Sequence, residues 1–161
     1  MGIQISAGTD WLPALSTSRK SMLLSIAASE KETRSRATQS AVIVRARRNT
    51  LKASKEEILT YLKELLPEAL LRKIANIKDQ GILERWMKGN SQPDLDAGTG
   101  QRLRAAYEIA QMLSDSNSPE LIRAWFAGPD PQLSEMSPAQ AIHDGRLKEA
   151  IAAARVFVIS G

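Results

Sequence analysis

The chain has 161 residues, 43% of them hydrophobic and 25% charged, enough apolar surface for one ordinary domain or two very small ones and too much for wholesale disorder. It contains no cysteine, which rules out disulfides and thiolate chemistry and fits a reducing interior, and no apolar run approaches the roughly 20 residues of a membrane helix. The formal net charge of +4 is unevenly spread: residues 1–52 carry nine Lys/Arg against three Asp/Glu, residues 53–114 nine against nine, and residues 115–161 four against six.

In chain order, residues 1–50 lack sustained periodicity. Arg19-Lys20 followed by MLLSIAAS has the charge order of a signal peptide, but the apolar part is too short and starts too late. The expectation is a cytoplasmic protein with no membrane partner. The polar run SEKETRSRATQS and the basic RARRNT predict a flexible N-terminal arm over residues 1–50. Local signals within it are a helix near Lys20–Ser29 and a short extended piece at Ala41–Val44. Such an arm could add phosphate contacts to a DNA-binding body.

From Ser54 the pattern becomes helical. Ser54 with Glu57 makes a capping box, and Ile58, Tyr61, Leu62 and Leu65 follow at helical spacing. Pro67 opens a second helix whose apolar face is Leu70, Leu71 and Ile74. After a break at Asn76-Ile77-Lys78, Asp79 caps a third helix, DQGILERWMK, ended by Gly89. The polar loop NSQPDLDAGTG leads to a fourth helix, QRLRAAYEIAQML, with Leu103, Ala106, Tyr107 and Ala110 in one stripe. Beyond SDSNSP, a helix containing Trp125-Phe126 meets the turn formers Gly128, Pro129, Asp130 and Pro131. Ser137-Pro138 then starts a short helix stopped by Gly145, and LKEAIAAARVFV makes a last one. No strand is needed after residue 50, so the fold class is all-α.

Two helices joined by three or four residues outline a helix-turn-helix. In that arrangement Ile77, Leu83 and Trp86 face the interior, and Lys78, Gln80, Arg85 and Lys88 are free to reach DNA. Lys and Arg neutralise phosphates, while Arg and Gln can also read base edges bidentately. The competing interpretation is an ordinary helical hairpin with a solvated basic face. Catalysis has little support. His143 is the sole histidine, and beside a helix end it is better suited to satisfying terminal carbonyls than to acting as a base. No second His or Cys completes a metal site or nucleophile pair. Asp94 and Asp96 form a turn composition, and Gly98-Thr99-Gly100 lacks the lysine of a phosphate loop. Neither an enzyme nor a cofactor or metal is expected.

Two segments resemble one family. IKDQGILERWMKGNSQP is similar to the helix-turn-helix of Xre-type antitoxins, with KD, an apolar residue, RW and a glycine in order. SPELIRAWFAGPDPQLSEMSPAQAIHDG resembles the C-terminal toxin-binding domain of the Xre/MbcA/ParS antitoxins. The shared elements are a Trp-containing helix (Trp125-Phe126), a turn from Gly128 to Pro131, a P-x-L step ending at Leu133, a Ser137-Pro138 start and a helix ending at Gly145. The resemblance covers about residues 55–161. It implies a helix-turn-helix domain over 54–114 and a small helical partner-binding domain over 117–161, and leaves the arm over 1–50 outside it. It also implies a dimeric antitoxin that binds a RES-type, NAD-degrading toxin and represses its own operon. The aromatic pair would then hold the small domain together. The tail residues Arg155, Val156, Phe157, Val158, Ile159 and Gly161 would meet the toxin. The same residues permit a transcriptional regulator without a toxin, or a helical adaptor that does not bind DNA.

Overall fold

A computed structural model describes residues 17–88 and 97–160. The first sixteen residues of the expected arm, Gly89, the loop holding Asp94 and Asp96, and Gly161 lie outside the described residues. Two units divide the chain, Met1–Gln39 and Ser40–Gly161. The elements in order are α1 (Thr17–Lys52), α2 (Lys55–Leu65), α3 (Glu68–Ala75), α4 (Gln80–Met87), α5 (Ala97–Leu113), α6 (Pro119–Ala127), a 3-10 turn (Pro131–Leu133), α7 (Pro138–His143) and α8 (Leu147–Ser160). Among the described residues there is no strand, and the all-α expectation is met.

In the first unit the described residues are the opening turns of α1, and every side chain from Ser21 to Thr38 is exposed. This stretch contains neither Gly nor Pro. It is supported along its own surface by Glu30–Arg34 at 4.0 Å and by Glu32–Arg36, with each acid four residues ahead of its base, the favourable order. Thr33 and Thr38 hydroxyls donate to the carbonyls of Ser29 and Arg34 at 2.9 and 3.1 Å.

The second unit departs from the sequence expectation at its start. Ala41–Val44 is helical, not extended. The β-branched run Val42-Ile43-Val44 favours an extended chain locally, but burial decides otherwise. Val42, Ala46 and Thr50 recur every four residues and are all buried, 6%, 2% and 3% exposed. Val44 and Arg48, which a strand would place on the same face, are exposed, a pattern that a helix supplies and a strand does not. A row of polar contacts ties the same turns to α5 and the turn that follows it. Arg45 pairs with Asp115, and the Arg47 guanidinium donates to Glu108 Oε2 at 3.0 Å. Asn49 donates to Gln111 at 3.0 Å, and Arg104 donates to the Thr50 carbonyl at 3.1 Å. Residues 40–50 are thus part of the fold.

Most of the expected caps are present. Ser54 Oγ accepts from Glu57 N–H at 3.1 Å and Glu57 Oε2 from Ser54 N–H at 2.8 Å, so the capping box is closed. Ser137 caps α7 as expected, and Ser118, expected in the connecting segment, caps α6 in the same way; each is followed by proline at the first helical position. Gly145, at φ +82°, takes the left-handed conformation that ends α7. One boundary moves: α5 begins at Ala97, so Ala97–Gly100, expected in a loop, is its first turn, anchored by the buried Thr99.

Helix α5 is the centre of the unit, with Leu103, Ala105, Ala106, Tyr107, Ile109, Ala110, Met112 and Leu113 all buried. Helix α2 packs on it, as does α8, where Ala150, Ala153 and Ala154 let the two helices approach closely. Helix α7 covers α3 and touches α5. One hydrophobic cluster therefore runs from Ala46 through α2–α7 to Ala154. The segments expected as separate domains, 54–114 and 117–161, share that core.

Candidate functional site

Helices α3 and α4 are joined by Asn76, Ile77, Lys78 and Asp79. Asn76 is left-handed at φ 58°, and its N–H and that of Ile77 satisfy the Lys73 and Arg72 carbonyls at 3.2 and 3.0 Å. Asn tolerates this conformation better than other non-glycine residues, which is why the chain can turn sharply here. Ile77 and Leu83 are buried, at 9% and 6% exposure, and plug the turn and α4 onto the core. Arg72 reaches across the turn to donate to the Lys78 carbonyl at 3.1 Å. At the start of α4, Asp79 Oδ1 caps Gly81 N–H at 2.8 Å.

Of the residues expected to contact DNA, Lys78, Arg85 and Lys88 are exposed. The side chains of Gln80 and of Trp86, expected inside, lie outside the described residues. Arg85 is 3.4 Å from Asp79 Oδ2, with both side chains more than half exposed. Such a surface pair is weak and easily exchanged. Asp79 and Glu84 are exposed on the same short segment, so the face has cations available but is nearly charge-balanced. The RARR run is less available than the sequence suggests, because Arg45 and Arg47 are engaged by Asp115 and Glu108.

The C-terminal aromatics are core. Trp125 and Phe126 are 9% and 0% exposed and meet edge to face at 5.3 Å. The indole also packs on Phe157, with ring centroids 6.2 Å apart, which fastens the end of α8 to α6. The expected partner-binding tail therefore divides by helical face. Phe157 and Val158 are half-buried against the core, while Arg155, Val156 and Ile159 are exposed. At the end of α6 a Cβ on Gly128 would sit 3.0 Å from the Ala124 carbonyl, a tight contact that glycine avoids. Asp130 then organises the turn by accepting from Gln132 N–H at 2.8 Å.

His143 takes a structural part. Its Nδ1 donates to the Lys73 carbonyl in the last turn of α3 at 2.8 Å, and its own carbonyl accepts from Arg102 at 3.1 Å. Three helices are latched together there. Among the described residues, no group of three His, Cys, Asp or Glu could hold a metal ion, and no helix is long and apolar enough to cross a membrane. Sequence reasoning missed Val44 and Leu51, 57% and 69% exposed on the outside of α1. Their seven-residue spacing was the available signal, masked by the extended propensity of Val42-Ile43-Val44. The chain matches no family model, no curated protein and no solved structure.

Proposed function

We propose that the chain is a type II antitoxin of the Xre/MbcA/ParS kind. In this proposal it binds and neutralises a RES-type toxin, represses its own operon through α3 and α4 as a helix-turn-helix, and works as a cytoplasmic homodimer. The supporting observation is the α3–turn–α4 pair. Its apolar residues Ile77 and Leu83 are buried while Lys78, Arg85 and Lys88 are exposed, the division of labour a recognition helix needs. For the toxin, support comes from the resemblance of residues 118–145 and from the exposed Arg155, Val156 and Ile159 on the last turns of α8.

The test is a mobility-shift titration with duplex DNA from immediately upstream of the gene, together with capture of a co-expressed RES-type neighbour. Binding to that DNA, weakening steeply between about 0.05 and 0.2 M salt, supports the repressor half. Val156→Glu with Ile159→Glu should abolish toxin capture and leave the DNA shift intact. A second interpretation, a helical adaptor that does not bind DNA, is favoured by Asp79 holding Arg85 and by exposed Glu84. No shift at the lowest salt would select it.

A further inference from the structure

Over residues 40–52 helix α1 has two faces. Val42, Ala46 and Thr50 point into the unit and are buried. On the opposite side stand Val44 and Leu51, 57% and 69% exposed. They are seven residues apart, so both lie on one stripe with Arg48 between them and Lys52 at its border. Leu51 is the most exposed large hydrophobic side chain among the described residues. Arg48 and Lys52 are exposed and, unlike Arg45 and Arg47, form none of the described ion pairs. No Asp or Glu occurs in α1 from Thr33 to its end at Lys52, so the helix itself supplies no acid to neutralise them.

Two aliphatic side chains in water, bordered by uncompensated cations, are the complement of a helix whose apolar seam is flanked by carboxylates. We propose that the outer face of α1 from Ala41 to Lys52 docks an acidic amphipathic helix of a partner protein. Val44 and Leu51 would interdigitate with its seam, and Arg48 and Lys52 would pair with its acids. Charge and polarity select this occupant. A second copy of the same segment would set Arg48 and Lys52 against their own kind. A nucleic-acid backbone would use the cations but leave Val44 and Leu51 in water. The proposal does not rest on the antitoxin function, because neither α4 nor the end of α8 takes part.

The experiment uses the full chain and a fluorescent synthetic helix with a leucine seam flanked by glutamates. Controls are the same helix with lysine for glutamate and a duplex DNA of arbitrary sequence. Anisotropy should show binding of the acidic helix alone. Leu51→Ser and Arg48→Glu should each weaken it about tenfold, with unchanged thermal melting because both side chains are exposed. Equal binding of the lysine helix, or no loss in either variant, would overturn the proposal. So would displacement by DNA together with sensitivity to Arg48→Glu alone, which would make the face a phosphate site. Conversion of a dimer to a monomer by Leu51→Ser, read by light scattering, would overturn it in favour of a second copy.

Discussion

Glu108 is 1% exposed in the middle of α5, with Oε2 held by Arg47 and Oε1 buried without a protein partner. The two partners are unequal, because the Arg47 side chain is 57% exposed and can return to water. Arg47→Ala strands a carboxylate in the core and should cost about 3–5 kcal/mol. Glu108→Met removes the buried charge and should cost distinctly less. Urea titrations that rank the two the other way would refute this account. Trp125 allows a similar comparison, since its Nε1 is buried with no acceptor. Trp125→Phe gives up little hydrogen bonding and should cost under about 1.5 kcal/mol, whereas Trp125→Ala leaves a cavity beside Phe126 and Phe157 and should cost about 3–5 kcal/mol. Burial, reinforced by Tyr61 and Glu57, raises the Tyr107 phenol above its ordinary value of 10.0. The folded state then holds that proton more tightly than the unfolded chain. This stabilisation is complete below pH 10 and is lost as the pH rises through the folded value. Tyr107→Phe should flatten that alkaline loss in pH-dependent melting.

Among the elements, α1 is the one whose parts differ most in consequence. Its side chains from Ser21 to Thr38 are exposed, while Val42, Ala46 and Thr50 are buried. Removing residues 1–38 should leave the cooperative unfolding of the remainder nearly unchanged. Removing residues 1–52 should cost more than about 3 kcal/mol, since it uncovers part of the core and also strands Glu108. Equal melting of the two truncations would show that the inner face of α1 contributes nothing. Helix α4 gives the element-scale test of DNA recognition. If Arg85 leaves Asp79 to read a base, Arg85→Ala should cost about 1–3 kcal/mol at the operator and relax preference at one position. A loss equal on all sequences would assign Arg85 to a phosphate.

For the whole molecule, the continuous cluster from Ala46 to Ala154 predicts one unfolding transition for residues 40–161. Tryptophan fluorescence and helical circular dichroism should therefore lose signal together on heating. The fragment 54–114 should not fold cooperatively alone, because it would expose the side of α5 that packs on α8. Two separated transitions, or a well-folded fragment, would restore the division into independent domains.

Local chemistry was legible in the sequence wherever it acts within a few residues. The Ser54–Glu57 box, the Ser137-Pro138 start of α7, the Asp79 cap and the Gly145 stop are short-range events set by the residues that make them. So were the apolar stripes of α2, α3 and α5, and with them the all-helical class. Tertiary contact decided the rest. Val42-Ile43-Val44 became helix because Val42 and Ala46 found a buried surface that local propensity does not contain. Residues of 54–114 and 117–161 share one hydrophobic cluster because α8, whose Ala150, Ala153 and Ala154 are buried, packs on α5, a pairing invisible in either helix alone. Arg45 and Arg47 are paired cations rather than free ones because Asp115 and Glu108, some 60 or 70 residues away, lie within reach. Periodicity says which side of a helix seeks cover; only the assembled fold determines which side obtains it, and on α1 that leaves Val44 and Leu51 in water.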